Sequence, residues 1–168
     1  MSALWELALI SLFTPLIRNL HLRRASQHSG TWEDLLIHLE LDNHKKEFKG
    51  IRDSKAFGAW VEWIMQSETQ LAIWGDENYP VELLSWPKAP TLLWYRGRPA
   101  WRQTRFLAVV GSRNPSPVSV DWMNWQLPPF MNDLGVGIVS GGARGIDQRS
   151  HLLAIQNRQP TIALMPVG

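Results

Sequence analysis

Two short segments hold the residue types whose spacing suits chemistry. In the first, Leu107-Ala-Val-Val-Gly-Ser-Arg113, an apolar run leads directly into glycine, serine and arginine. Where a buried strand ends, the chain must turn sharply. Gly111 accepts the backbone angles of such a turn and lets a ligand come close to the main chain. Backbone N–H groups, the Ser112 hydroxyl and the Arg113 guanidinium then converge on one spot. That donor set suits a phosphate, because a helix N-terminus favours an anion and arginine can bind two of its oxygens together. The same residues also suit an ordinary strand-to-helix turn with Arg113 in solvent.

The second segment, Gly137-Ile-Val-Ser-Gly-Gly-Ala-Arg-Gly-Ile-Asp147, repeats the design. An apolar run ends in Ser140-Gly141-Gly142, followed by Ala143, Arg144, Gly145 and a helix opened by Ile146-Asp147. Three glycines within five residues are costly in chain entropy. Passage of a phosphodiester over bare backbone accounts for them, with a glycine-rich packing turn as the alternative. Asp147 suits the positive end of a helix and is placed to orient Arg144. In open parallel sheets ligands sit at the carboxyl ends of the strands, where both segments must lie. The candidate phosphate-binding residues are therefore Gly111, Ser112 and Arg113 with Gly141, Gly142, Ala143, Arg144, Gly145 and Asp147.

No catalytic residues are assigned. Ser112 and Ser140 lie in these loops, but no nucleophile-elbow pattern surrounds either, and nothing in the sequence places His151 beside them. His151 itself reads as a structural residue. The five histidines lack paired metal spacing and there is no cysteine, so no metal site, disulfide or cofactor is expected. Ten tryptophans outnumber the five phenylalanines and two tyrosines together. Rings such as Trp94, Trp101, Trp122 and Trp125 can stack unpaired bases, although packing is the commoner use of the residue.

Composition limits the partner classes. Hydrophobic residues make up 45% of the 168-residue chain and charged residues 19%, enough apolar material for a core and no basis for global disorder. Lysine and arginine total 17 against 15 acidic residues, a formal charge of +2. A polyanion must then be met by cations focused at one site and not by a polybasic coat. The apolar run Leu7–Phe13 follows Glu6, lacks a cleavage signal and is too short to span a membrane. A soluble, cytoplasmic protein with no membrane partner is expected.

The elements that must position the two loops fall into two regions, with a boundary expected at 67/68. Residues 1–67 carry helical spacing. Leu4, Leu7, Leu12, Leu16 and Leu20 recur at near-helical intervals that Pro15 should split. Ser29 to Leu41 predicts a helix capped by Thr31 with Leu35, Leu36 and Leu39 inward, and Ala56 to Met65 predicts another. From Leu71 onward short apolar runs appear at Leu71–Trp74, Thr91–Tyr95, Phe106–Val110, Val136–Val139 and Thr161–Met165. Pro87, Pro90 and Pro99 argue against a central strand at those positions. The later runs alternate with helix-length segments, as in a parallel sheet with crossover helices. Pro128-Pro129 predicts a helix ending near Leu127 and a short second turn carrying Phe130 and Leu134. The segment from Ile146 to Asn157 predicts a helix with Ile146, Leu152, Leu153 and Ile155 as its apolar positions. The fold class expected is α/β, with a helical N-terminal domain (1–67) followed by a partial, extended Rossmann-like sheet (68–168).

Val109-Val-Gly-Ser-Arg113, Ser140-Gly-Gly-Ala-Arg-Gly-Ile-Asp147 and Ser150-His151 together resemble the core pattern of the DNA-processing protein A (DprA/Smf) family. Asp76-Glu-Asn-Tyr-Pro80, Pro90-Thr-Leu-Leu-Trp-Tyr-Arg-Gly97 and Thr161-Ile-Ala-Leu-Met-Pro-Val-Gly168 extend the likeness over residues 71–168. The resemblance implies a non-enzymatic protein that binds single-stranded DNA through the two loops and loads the recombinase RecA in natural transformation. It also implies self-association into a homodimer as an option. Family members continue past the position of Gly168, so a truncated portion of the fold is expected. The alternative is a nucleotide-processing enzyme of the lysine-decarboxylase-like group, which cleaves nucleoside monophosphates. That group requires a Pro-Gly-Gly-x-Gly-Thr run with a nearby glutamate, and this sequence has neither.

Overall fold

The computed structural model describes residues 3–102 and 104–165. It divides into two compact units, Met1–Pro99 and Ala100–Gly168.

The first unit is built on leucine-rich helices. The run interrupted by Pro15 does split: α1 (Ala3–Ile10) buries Leu7, Ala8, Leu9 and Ile10, and α2 (Asn19–Ala25) starts afresh beyond the proline. Helix α3 (Trp32–His38) opens on Thr31 as expected. The Asp34 N–H donates to Thr31 Oγ1 at 3.2 Å and the Thr31 N–H donates to Asp34 Oδ2 at 3.1 Å. The Thr31 hydroxyl, which donates to Asp34 Oδ2 at 2.7 Å, and then the Thr31 N–H hold the Asp34 carboxyl below the usual carboxylate range. Helices α4 (Lys45–Arg52) and α5 (Lys55–Gln66) follow, the latter capped by Ser54. Replacing Thr31 by alanine removes the cap of α3 and is expected to lower stability by about 1 kcal/mol. Urea unfolding of the variant measures it, and an unchanged midpoint would contradict the cap.

The helical core does not close at residue 67. Leu71 and Ile73 of strand β1 (Thr69–Ile73) are buried in it beside Leu36, Phe48, Phe57 and Ile64. Strand β2 (Leu92–Arg96) pairs antiparallel with β1 in the register Leu71↔Trp94, and its Leu92 and Trp94 pack on the same core. The unit therefore extends to Pro99: an amphipathic helix cluster needs apolar cover, and the strand pair supplies it. Between the strands lies the one-turn helix α6 (Val81–Leu84). Pro87, Pro90 and Pro99 all fall outside the strands, as their missing N–H groups require.

The second unit is the α/β part. Strands β3 (Phe106–Ala108), β4 (Gly137–Gly141) and β5 (Thr161–Leu164) form a parallel sheet in the order β3-β4-β5. Leu107 pairs with Ile138, and Ile138 with Thr161. Helices α7 (Pro117–Leu134) and α8 (Ile146–Gln156) make the crossovers. Met123, Leu127 and Met131 of α7 share one core with Leu153 and Ala154 of α8 and Ile138 of β4, so both helices cover the same side of the sheet.

One helix expectation is corrected here. Helix α7 runs unbroken through Pro128 and Pro129 to Leu134. An internal proline costs about 3 kcal/mol, but Met123 and Leu127 before the pair and Met131 after it are all buried. Each contributes roughly 1.5–3 kcal/mol, which a break at Leu127 would forfeit on one side. The two prolines leave the Asn124 and Trp125 carbonyls without helical donors; Trp125 and Pro129 sit on the outer side, where water can serve the second of these. The helix ends instead at Gly135, in the left-handed conformation at φ 60°, and the Val136 N–H bonds back to Met131 O. In α8 the inward positions are Ser150, Leu153 and Ala154, with Ile146 partly buried. Leu152 and Ile155, the other two apolar positions, are 43% and 62% exposed. Positions 146, 150, 153, 154 and 157 share one face at the helical period, and 152 and 155 lie off it.

Candidate nucleic-acid interface

Both glycine–arginine segments lie at the carboxyl end of the parallel strands, and there they are in direct backbone contact. The Ile146 N–H donates to Ser112 O at 3.1 Å, tying the first turn of α8 to the first loop. Gly145 makes this contact possible. Its φ of +92° and ψ of −129° suit only glycine. A Cβ there would fall inside van der Waals distance of Ser112 O and 2.7 Å from Arg113 O. Gly111 is constrained from the other side, because a Cβ on it would come within 2.6 Å of the Ile146 side chain. Entropy lost at these glycines is thus compensated by crossing two loops at backbone distance, a packing role that coexists with ligand access.

The arginines are placed differently from one another. Arg113 is exposed at the tip of the first loop. Arg144 is held across the crossing: its Nη2 donates to Asn114 Oδ1 at 3.0 Å. Asn114, and not the expected Asp147, therefore orients Arg144. Asn114 is set by Ser112, whose Oγ accepts the Asn114 N–H at 3.0 Å. The Asp147 carboxylate instead lies over Gly141, where a Cβ would approach its Oδ2 to 2.6 Å. Gly142 passes close to the Met165 side chain, and Ala143 O accepts the Gln148 N–H at 3.1 Å, closing the turn into α8. No side chain caps the N-terminus of α8; main-chain oxygens take its N–H groups instead, Ser112 O that of Ile146, Ala143 O that of Gln148 and Gly145 O that of Arg149.

Neither loop serine is paired with a base. Ser140 is buried and donates to Val109 O at 2.6 Å, joining β4 to the end of β3. His151 has both ring nitrogens engaged, with Thr161 Oγ1 at 2.6 Å and with Gly141 O at 2.8 Å. Sequence spacing could not find this contact, because Thr161 and Gly141 come from separate strands. Asn114 carried a weak signal: a serine two residues before it is a common turn arrangement.

The second unit as a whole is net positive. Residues 100–168 hold six arginines (102, 105, 113, 144, 149 and 158) against Asp121, Asp133 and Asp147, a formal +3 with no lysine. Of the tryptophans considered for stacking, Trp122 and Trp125 are 67% and 80% exposed on α7, whereas Trp94 packs on the core of the first unit.

Fold and site together define a Rossmann-like α/β protein in which two glycine–arginine loops cross at one sheet edge, with a helical N-terminal unit. Residues 70–168 match the family model described as DNA recombination-mediator protein A, and the chain belongs to that family. It is 38% identical over 93 residues to the DNA processing protein DprA of Streptococcus pneumoniae, a match covering 55% of this chain and 32% of that protein. It is 29% identical over 126 residues to the protein Smf of Borreliella burgdorferi, covering 75% and 40%. The X-ray structure of DNA processing protein A from Streptococcus pneumoniae superposes over the whole chain and 59% of its own length, with a TM-score of 0.60 at 22% identity. The aligned region spans about a third of the length of the pneumococcal relative and two fifths of the Borreliella one. Among the described residues no helix is long and apolar enough to cross a membrane.

Proposed function

We propose that this chain binds single-stranded DNA by its phosphates along the edge formed by Gly111–Arg113 and Gly141–Asp147, without turning it over chemically. The observation that carries the reading is the crossing of the two loops, which brings exposed Arg113 and anchored Arg144 to one edge. Arginine forks contact phosphate oxygens and read no base edges, so binding should be largely indifferent to sequence. Family membership supports DNA as the polyanion, and the relatives are named for DNA processing. The engagement of Ser140 and His151 with backbone and threonine partners supports binding over nucleophilic chemistry. The family resemblance extends the proposal to delivery of the bound strand to RecA in the cytoplasm, by a chain that self-associates.

Titration of a fluorescent oligo-dT is expected to show binding that weakens steeply with added salt, because each neutralised phosphate releases counterions. Oligo-dT and oligo-dC of equal length should bind within about threefold of each other, since phosphate contacts carry no sequence information. A folded sample that binds neither at low salt would refute the proposal. Incubation with AMP should release no adenine, and protein-dependent release would favour the nucleotide-processing alternative.

A further inference from the structure

We infer that His151 is the positioning residue of the second loop, bridging Gly141 O and Thr161 Oγ1 so that the Gly141–Asp147 segment keeps its phosphate-binding shape; the inference rests on the phosphate-binding reading of that segment. Strands β3 and β4 are still joined by the main chain where Val109 N–H donates to Val139 O at 3.0 Å. Two residues further along β4, Gly141 O takes a hydrogen bond from the imidazole Nε2 at 2.8 Å. There the chain of the first loop has turned at Gly111 toward the start of α8, where Ser112 O accepts the Ile146 N–H. A side chain from α8 thus stands in for a strand neighbour at the point where the two loops part. A half-buried carbonyl without a donor would be costly, so the bridge lets the edge open while the backbone remains satisfied.

The partners also fix the ring. A carbonyl oxygen only accepts, so Nε2 carries a hydrogen. Thr161 Oγ1 donates to Ile138 O at 3.1 Å and lies 2.6 Å from Nδ1, so the hydroxyl on the other side of the ring is itself tied to β4. The imidazole is thereby clamped between β4 and β5, and its orientation is set by the sheet. Because His151 is one turn beyond Asp147 on α8, the same clamp holds the helix start and the carboxylate over Gly141. His151 acts on DNA through Gly141 and touches no phosphate itself.

The test compares His151→Leu, which removes both bonds, with His151→Gln, whose amide N–H can reach Gly141 O. His151→Leu is expected to weaken oligo-dT binding about tenfold, the effect of losing the hydrogen bond to Gly141 O, through which His151 acts on the loop. His151→Gln should recover affinity to within about threefold of wild type. Equal affinity of His151→Leu and wild type, or a glutamine variant no better than leucine, would overturn the inference. If His151→Leu does not fold, Thr161→Val is read instead: it keeps the Nε2 bond but releases Nδ1, and wild-type affinity there overturns the clamp. Amide exchange over residues 141–145 separates the two readings. If wild type binds no oligonucleotide, the phosphate-binding proposal fails. Faster exchange in His151→Leu would then still support the positioning role, and unchanged exchange would defeat it.

Discussion

Gly145→Ala is expected to abolish the loop crossing, lowering stability by about 1–3 kcal/mol through backbone strain alone and oligo-dT affinity by more than about tenfold. The alanine would have to hold φ +92° with its Cβ against the main-chain oxygens of Ser112 and Arg113. Neither oxygen belongs to a flexible side chain that could swing aside, so the two loops must separate. Separation breaks the 3.1 Å bond from the Ile146 N–H to Ser112 O and moves Asn114 away from Arg144. A surface glycine in an ordinary turn would show little of this. Urea unfolding and oligonucleotide titration on the same preparation give both readouts. Wild-type stability together with wild-type affinity would mean that the loops do not depend on this contact.

The arginines give the second large effect. Arg113→Ala and Arg144→Ala should each cost about 1.5–3 kcal/mol of binding, the range for a hydrogen bond to a charged group. Replacement by lysine should restore part of it, because the charge survives and the planar fork does not. The two losses should combine non-additively if both side chains hold neighbouring phosphates of one strand. Asn114→Ala is expected to fall between wild type and Arg144→Ala, since it removes the anchor of Arg144 and leaves its charge. Melting temperatures should barely move, because Arg113 and Arg144 are both exposed. A double alanine variant that binds oligo-dT like wild type would overturn the assignment of these loops.

Local chemistry made much of the protein legible in its sequence. Thr31 and Asp34 cap their helix through side chains three residues apart, so spacing alone was sufficient. Pro15 ends a helical run because its ring and missing N–H act within one turn. Apolar runs bounded by glycine and proline located the five strands of the described residues, and the two glycine–arginine segments fell at strand ends because a buried strand must leave the sheet there. Tertiary packing decided the rest. Pro128-Pro129 also breaks a local rule, yet burial of Met123, Leu127 and Met131 in one core keeps α7 whole. The first unit gained β1 and β2 because Leu71, Ile73 and Trp94 cover its helices, which no run of neighbouring residues reveals. The partner of Arg144 proved to be Asn114, thirty residues away, and His151 found Gly141 and Thr161 on two different strands. Such contacts depend on sheet register and loop crossing, so residue types fixed which groups were available for a phosphate and only the fold decided which of them meet.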